Sequence, residues 1–564
     1  MAVLAIMLFS GGLTASASEL KPPKNFVVIF ADDFGYGDLG CYRELFQGND
    51  DLTVSHKFTP HIDKLGREGV RFMQTYTASW CAPSRTSLLS GRWCNRADVL
   101  TQPWIGKQMR DRGYATCFSG KSHGSVSKGM DRNPKTGGFS DALLFNNGQR
   151  HFYMQPGEEL PRRTDFKSDP FVAKGGEYIT DLFTDFGVDF IKRNAKKEKP
   201  FFLYLAYTAT HSPLEGKLED LQTMFPGDFD GIDKKDWQTF ITCTDGRRLT
   251  QNPKALAAVK KYNPEWSVER STANAKMNKL GKKKFHDYNY AALAYSMDRG
   301  IGKIMQTLKE AGVDDDTMVI FTSDNGSISG SNYPLQNFKS SHFEGGIRVP
   351  MIFWTKDLAA SKQSGRMIDE ITPTTCIAPT LVGIVDRQAK PNFPFDGINL
   401  WPYLANNSSV PDDQVFFYAS NSVFYKATGG YRDMSYGKLG GFQKEFPDVT
   451  FGGMNYWERK AGVLNTVYIK GKEKIVYWST HDGKAQGATY RELPKGGRFS
   501  ENPKSFFKEE YVSEGQFPKD AEGAAFFNEF KEYIAKTGKD ELRTRPIFNG
   551  SDLKRSKRVH VYVK

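Results

Sequence analysis

Four stretches of the chain carry apolar side chains at nearly every position. They are residues 26–30, 201–207, 318–321 and 351–354. A strand that is covered on both faces has such a continuous apolar run, because neither face needs polar side chains. The first three runs each end at a polar cluster. The pattern therefore predicts buried strands of a central sheet, with polar loops at their ends.

The strongest helix pattern covers residues 288–311, where the apolar positions form one stripe. The stripe comprises Tyr290, Leu293, Ala294, Met297, Ile301, Ile304, Met305 and Leu308. Gly312 follows at a position where many helices end. Because strands and helices alternate, we predict an α/β domain whose large, mostly parallel sheet is sandwiched by helices.

Two long stretches lack a regular pattern. Residues 127–178 are rich in Gly, Lys and aromatic residues, and residues 218–284 are rich in Lys. Insertions of this length are usually functional or disordered. We predict long loops for the first stretch and an irregular insertion for the second.

The pattern changes after a linker-like segment at residues 405–413. Short β-rich runs follow at residues 466–469 and 474–478, and a later helix has Phe526, Phe527 and Phe530 on one side. We predict a large domain over residues 18–415 and a smaller α+β domain over residues 416–564. The smaller domain is expected to contain a short antiparallel sheet.

Composition restricts the class of partner. The net charge of +12 among 564 residues suits an anionic partner. No helix-turn-helix, RNA-recognition or zinc-finger pattern supports nucleic acid, and no apolar run reaches the length that crosses a bilayer. No feature of the sequence specifies an oligomeric state.

The first 17 residues resemble a signal peptide, with an apolar stretch followed by the small-residue pattern Ala15-Ser16-Ala17. This predicts a protein that is secreted or exported to a periplasm. Six cysteines are too few for a disulfide scaffold of this length.

Polar oxygen donors follow two of the predicted strands. Asp32 and Asp33 come after the first run, and Asp324 and Asn325 come after the third. The carboxyl ends of strands in an open α/β sheet converge on a ligand site. A set made only of oxygen donors suits Ca²⁺ or Mg²⁺ and argues against zinc or copper.

A second constellation begins at Cys81 and reads Cys-Ala-Pro-Ser-Arg-Thr-Ser-Leu-Leu-Ser-Gly-Arg through Arg92. Pro83 predicts a helix that begins at or just after it, with Arg85 on the first turn. This segment resembles the signature of the type I (formylglycine-dependent) sulfatases, which have the alkaline phosphatase-like fold. The resemblance implies that a maturation enzyme oxidises Cys81 to formylglycine and that Arg85 holds and activates the aldehyde hydrate.

The resemblance extends over residues 25–405 and implies a role for each matching position. Asp32, Asp33, Asp324 and Asn325 would bind a divalent cation, Ca²⁺ in most members, with Mg²⁺ as the alternative.

The remaining matched residues would bind and cleave the ester. Lys121 and Lys339 would bind sulfate oxygens. His211 would be the general acid at the bridging oxygen, and His123 would take a proton as sulfate leaves. His suits both proton transfers because its pKa lies near neutral pH.

Four further residues are candidates for substrate contact: His151, His286, His342 and Arg348. The three histidines lie in segments that read as loops. A structural role is the simpler interpretation of each histidine.

The resemblance predicts an enzyme that removes sulfate from a sulfated carbohydrate. Long insertions, abundant aromatic residues and the basic charge favour a saccharide over a small aryl ester. Three alternatives stay open: an arylsulfatase of small esters, a phosphonate monoester or phosphodiester hydrolase, and a non-enzymatic binder of sulfated glycans.

Overall fold

The computed structural model describes most of the chain between residues 20 and 538. The described residues are 20–46, 54–94, 96–97, 104–123, 137–146, 148–244, 253, 256, 257, 260, 264–335, 337–386, 395–420, 463–471, 473–480, 486–492 and 521–538. The predicted signal peptide lies outside them. No helix in this part of the chain is both long enough and apolar enough to cross a bilayer.

Sixteen strands lie within the described residues. In chain order they are β1 Asn25–Ala31, β2 Val70–Tyr76, β3 Ala115–Lys121, β4 Asp141–Phe145, β5 Glu159–Leu160, β6 Arg162–Thr164, β7 Lys167–Ser168, β8 Phe171–Val172, β9 Phe201–Ala206, β10 Thr317–Ser323, β11 Arg348–Trp354, β12 Met367–Ile371, β13 Val415–Ser420, β14 Val463–Lys470, β15 Glu473–Thr480 and β16 Gln486–Glu492.

The α-helices of the same residues connect and cover these strands. They span Gly40–Arg43, Pro60–Glu68, Cys81–Ser90, Ile105–Asp111, Ile179–Asn194, Leu218–Met224, Lys234–Cys243, Thr272–Leu280, Lys282–Glu310, Glu344–Ile347, Lys356–Ala360, Ile377–Val385, Trp401–Ala405 and Ala521–Gly538.

Ten strands form one large sheet in the order β12-β2-β11-β10-β1-β9-β3-β4-β6-β7. The five central strands from β10 to β4 are all parallel to one another. Antiparallel pairs occur toward the two edges, where β11 pairs with β10 and β6 pairs with β4. The predicted fold class, a large and mostly parallel sheet, is confirmed.

Helices cover both faces of this sheet, which explains the continuous apolar runs. Successive side chains of β1 alternate between two cores: Val27 and Ile29 enter one, and Phe26 and Val28 enter the other. Every residue of β1 is buried. A strand between two cores has no position at which a polar side chain would face solvent.

The predicted helix at residues 288–311 is present, but it begins earlier. It spans Lys282–Glu310, and Gly312 follows with a left-handed φ of 69°. The first turn was missed because three of its residues are exposed lysines, and no side chain caps its start. His286 therefore lies in a helix, and its assignment to a loop was wrong.

The two predictions of irregular insertions need correction. Residues 218–284 contain the helices Leu218–Met224, Lys234–Cys243 and Thr272–Leu280. Aromatic rings hold this region together, with Trp237 in contact with Phe229 and Phe285. Residues 127–178 contain β4, which pairs in parallel with β3. Short elements held by tertiary contacts give a weak periodic signal in the sequence.

A second, antiparallel sheet has the strand order β13-β14-β15-β16. Its first strand begins at Val415, and the helix Ala521–Gly538 buries Phe526, Phe527 and Phe530 against it. A small antiparallel sheet was predicted here and is confirmed. The division of the chain into domains near residue 415 remains a prediction.

One buried ion pair joins the small sheet to the short helix Glu344–Ile347, which precedes β11 of the large sheet. Lys474 on β15 donates to Glu344 Oε1 at 2.9 Å, and both side chains are at most 5% exposed. Glu344 Oε2 also accepts from the Tyr76 hydroxyl at 2.8 Å and from Arg348 at 3.1 Å. Removing one partner of such a pair leaves a buried charge without its counterpart.

We therefore expect Lys474→Met to lower the free energy of unfolding by about 3 kcal/mol. The matched control is Lys470→Met in the same sheet, whose partner Glu529 is 40% exposed. An exposed pair contributes about 1 kcal/mol or less. Denaturant unfolding of both variants measures the difference, and equal losses would contradict the buried junction.

Candidate active site

The polar clusters predicted at the strand ends meet at one edge of the large sheet. In the parallel register, Ala31 of β1 lies opposite Ser323 of β10, and Phe30 of β1 lies opposite Ala206 of β9. The side chains that follow β1, β9 and β10 consequently lie close together at the carboxyl ends of these strands. The residues brought together there are Asp32, Asp33, Arg85, Lys121, His211, Asp324, Asn325 and Lys339.

The acidic residues contact one another directly. The Asp33 backbone N–H donates to Asp324 Oδ1 at 3.0 Å, and Asn325 Nδ2 donates to Asp33 Oδ1 at 2.7 Å. Asp33 itself has a left-handed φ of 60°. Asp32, Asp33, Asp324 and Asn325 are all at least 98% buried. Carboxylates so close and so buried require positive charge nearby.

Three cationic side chains supply it, one for each carboxylate. Arg85 donates to Asp324 Oδ2 at 2.8 Å, Lys121 pairs with Asp32, and Lys339 pairs with Asp33. Burial opposes ionisation of Asp33, but the charge of Lys339 holds its pKa well below the usual range. The cluster thus contains three carboxylates and three cationic side chains that pair with them.

The oxygen atoms left over fit a hard divalent cation. Asp32 Oδ1 and Asn325 Oδ1 are buried and accept no hydrogen bond within the described residues. Burial, together with the charge of Asp32, raises the pKa of Asp324 to about 7. A cation among these oxygens would offset that repulsion. The donor set matches the ligand preference of Ca²⁺ or Mg²⁺.

Cys81 lies beside this cluster. One ligand atom each of Asp32, Cys81 and Asp324 fall within 4.8 Å of one another. Burial raises the pKa of the Cys81 thiol, although the charges of Lys121 and Lys339 oppose the rise. The thiol itself is therefore a poor nucleophile at neutral pH.

The helix at this position differs slightly from the prediction. It spans Cys81–Ser90 and so begins two residues before Pro83. Pro83 is tolerated because the backbone N–H groups of the first turn have no partner in the helix. Gly91 ends the helix with a φ of 68°. Cys81 is the first helical residue, and its neighbour Trp80 precedes the helix.

His211 faces the acidic cluster from the loop after β9. Its Nε2 lies 3.7 Å from Asp33 Oδ2, and its Nδ1 donates to the Ser212 carbonyl at 2.7 Å. Burial lowers the pKa of His211 to about 3, and the charges of Lys339 and Lys121 contribute to the shift. The imidazole is thus neutral at pH 7, with Nδ1 carrying the proton.

His123 follows β3, two residues after Lys121, and has a left-handed φ of 46°. Gly148, just after β4, approaches its ring so closely that a Cβ there would lie 3.3 Å from His123 Cε1. The loop after β4 thus flanks this histidine.

The other candidate residues have different surroundings. Arg348 is fully buried and donates to the Met73 carbonyl as well as to Glu344, and its role as a substrate contact stays a prediction. His342 is 2% exposed and stacks on Tyr418 of β13, with burial lowering its pKa to about 3.

His286 lies beside Asp287 in the helix Lys282–Glu310, at 3.3 Å from Nδ1 to the carboxylate. His151 is the one candidate of the four whose loop flanks His123. It pairs with Glu215, four residues after His211.

The chain is similar in sequence to known proteins. The chain matches the family model named Sulfatase over residues 24–386. It is 24% identical over 470 residues to N-acetylgalactosamine-6-sulfatase of Rattus norvegicus, a match that covers 76% of this chain and 74% of that protein. It is 27% identical over 463 residues to arylsulfatase A of Homo sapiens, covering 74% of this chain and 76% of that protein.

Solved structures show the same fold. Ps i-CgsB in complex with k-i-k-neocarrahexaose matches with a TM-score of 0.60 at 22% identity, covering 94% of this chain and 96% of that one. BT4656 in complex with its substrate D-glucosamine-2-N,6-O-disulfate matches with a TM-score of 0.58 at 19% identity, covering 92% of this chain and 98% of that one.

Tyr290, which the apolar stripe predicts only as a core residue, connects the loops of this site. The Tyr290 hydroxyl lies 2.9 Å from Thr210 Oγ1, 3.0 Å from Ser327 Oγ and 2.6 Å from Asp38 Oδ2. Thr210 adjoins His211, and Ser327 lies two residues after Asn325. A tyrosine within an apolar stripe gives no signal that its hydroxyl serves three loops.

We expect Tyr290→Phe to raise the dissociation constant for Ca²⁺ about tenfold, because a hydrogen bond to a buried carboxylate contributes about 1.5–3 kcal/mol. The matched control is Tyr207→Phe, whose hydroxyl bonds Thr184 at 2.8 Å. Calorimetric titration of both folded variants with Ca²⁺ measures the effect. Unchanged affinity in Tyr290→Phe would show that the three loops keep their positions without this hydroxyl.

Proposed function

The chain belongs to the sulfatase family of sulfuric ester hydrolases, and from this premise we propose that it removes sulfate from a sulfated carbohydrate. The observation that carries the proposal is the position of Cys81. This residue lies within 4.8 Å of carboxylate oxygens that suit a divalent cation, and Lys121 and Lys339 pair with carboxylates of the same cluster. An anionic ester needs such cations, since its charge would otherwise repel a nucleophile.

The similar proteins support a saccharide substrate. One relative is an N-acetylgalactosamine-6-sulfatase. Of the two structural neighbours, one was solved with k-i-k-neocarrahexaose and the other with D-glucosamine-2-N,6-O-disulfate. The basic charge of this chain also attracts a polyanion. We infer a sulfated glycan rather than a small aryl ester.

We propose that Asp32, Asp33, Asp324 and Asn325 hold Ca²⁺, with Mg²⁺ as the alternative. The bound cation would supply charge that offsets the negative charge of the sulfate. Secretion or export to a periplasm is part of the same proposal.

We propose that a maturation enzyme converts Cys81 to formylglycine. The hydrated aldehyde would supply a nucleophilic oxygen in place of the weakly acidic thiol. Arg85 would orient residue 81, and this role is supported by their spacing of four residues on the helix Cys81–Ser90. Its guanidinium is held by Asp324 and by the Lys121 carbonyl at 3.0 Å.

Two lysines and two histidines would act on the ester. Lys121 and Lys339 would donate hydrogen bonds to the sulfate oxygens. His211 would give a proton from Nε2 to the bridging oxygen, and His123 would accept a proton at residue 81. In the free protein the Nε2 of His211 carries no proton at pH 7, given a pKa of about 3. Binding of the anionic ester would raise that pKa and favour the acid form.

The proposal is tested by incubating the matured enzyme with a substrate panel and measuring inorganic sulfate from the sulfate esters and the released alcohol from the phosphodiesters. The panel contains sulfated galactans, glycosaminoglycan oligosaccharides, choline sulfate, aryl sulfates and phosphodiesters. We expect sulfate from one glycan class. Sulfate from aryl esters alone would make it an arylsulfatase of small esters. Alcohol from phosphodiesters without release of sulfate would make it a phosphonate monoester or phosphodiester hydrolase, and glycan binding without hydrolysis would make it a non-enzymatic binder of sulfated glycans.

The role of His211 has a separate test. A general acid matters most when the leaving group is poor, so His211→Ala should slow sugar sulfate hydrolysis by about 10²–10⁴-fold and nitrophenyl sulfate hydrolysis much less. Values of kcat for the two substrates measure this. Equal losses would remove the general acid role, and His286→Ala serves as a comparison at a histidine outside the cluster.

A further inference from the structure

His151 and Glu215 form a pair between the two loops that carry the proposed catalytic histidines. His151 belongs to the loop after β4, which flanks His123 through Gly148. Glu215 lies four residues after His211, in the loop after β9. The Nδ1 of His151 donates to Glu215 Oε1. The pair therefore joins the loop that flanks His123 to the loop that carries His211.

The two partners differ in exposure. Glu215 is fully buried, and its second oxygen accepts the Phe152 backbone N–H at 2.6 Å. Tyr178 also donates to the Glu215 carbonyl at 2.9 Å. The His151 side chain is 32% exposed, and within the described residues its Nε2 has no hydrogen-bond partner. The buried partner is thus fixed, while the imidazole keeps one nitrogen available.

The surrounding charges favour the protonated form of this imidazole. Burial would lower the pKa of His151, but the hydrogen bond and charge of Glu215 raise it, with help from Glu158 and against Arg150. Arg150 is itself paired with Glu158 at 3.0 Å. A protonated imidazole with a free N–H is a donor for an oxyanion.

We propose that His151, fixed by Glu215, is a specificity-determining residue that binds a second oxyanion of the saccharide, a sulfate or a carboxylate, near the ester that is cleaved. The inference rests on the proposed function and deepens it, because it defines the substrate as a saccharide with more than one negative charge. The pair also differs from the four residues of the cation site and from the two lysines that would bind the reacting sulfate.

If the pair served only to hold the two loops together, the Nε2 of His151 would not need to remain without a protein partner. Fixing the two loops requires only the Nδ1 contact, which an exposed or a covered ring could make equally well. A structural role predicts that loss of His151 disturbs the whole site, including the reacting sulfate position. A binding role predicts a loss confined to saccharides with a further charge.

The test measures direct binding in the Cys81→Ala background, where turnover cannot interfere. The probes are carrageenan oligosaccharides, whose charges are sulfates, hyaluronan oligosaccharides, whose charges are carboxylates, and inorganic sulfate. Calorimetry gives the dissociation constant of each for the full chain with and without His151→Ala. The control is His61→Gln, an exposed histidine whose ring packs on Gly302.

We expect His151→Ala to weaken the binding of one charged oligosaccharide about tenfold and the binding of inorganic sulfate less than twofold. The dissociation constants of the His61→Gln control should stay close to those of the Cys81→Ala parent. Loss for carrageenan alone would identify the second group as sulfate, and loss for hyaluronan alone would identify a carboxylate. Unchanged binding, an equal loss for inorganic sulfate, or no oligosaccharide binding by the parent would each overturn the proposal. Sulfate release on the substrate panel is measured separately, so a failure of the proposed function is recognised independently.

A second variant keeps the shape of the pair. Glu215→Gln retains the size of the side chain and one oxygen acceptor, which can serve either His151 or the Phe152 N–H, and it removes the charge that favours protonation. We expect its oligosaccharide affinity to fall at pH 7.5 and to recover at pH 5.5, where an imidazole is protonated without help. Affinity that stays at the parent value at both pH values would contradict the proposed charge.

Discussion

Everything at the functional edge of this protein depends on balancing buried charges. Asp32, Asp33 and Asp324 lie in contact where the central strands end, and each would be costly there without a positive partner. Their partners come from three different parts of the chain: the helix that begins at Cys81, the last residue of β3, and the segment before β11. The same balance leaves oxygen atoms free for a cation. The charge pairs therefore arrange the site as well as stabilise it.

The segment that carries Lys339 links this cluster to the smaller sheet. The Ser340 backbone donates to the Ser79 carbonyl at 2.9 Å, which joins it to the turn before Cys81. A few residues later, His342 stacks on Tyr418 and Glu344 pairs with Lys474. The small sheet thus contacts the very segment that brings one of the three cations. This gives the C-terminal part a physical connection to the site, although it contributes none of the proposed catalytic side chains.

Much of the site could be predicted because its chemistry is local in sequence. The pairs Asp32-Asp33 and Asp324-Asn325 each follow a continuous apolar run, and parallel pairing brings such ends together. Contacts that depend on tertiary packing could not be predicted. The place of Tyr290 in an apolar stripe hides its hydroxyl, and nothing near Glu215 in the sequence indicates His151 as its partner. The acceptors of Arg348, the Met73 carbonyl and Glu344, are likewise set by the fold.

The most direct test of the account concerns residue 81 itself. Preparations that differ in the extent of maturation are digested, and mass spectrometry gives the fraction of the residue 81 peptide that carries an aldehyde. The rate of sulfate release is measured on the same preparations. The account predicts a rate proportional to the aldehyde fraction, reaching zero when only thiol is present. Sustained sulfate release from protein whose residue 81 is entirely cysteine would contradict it.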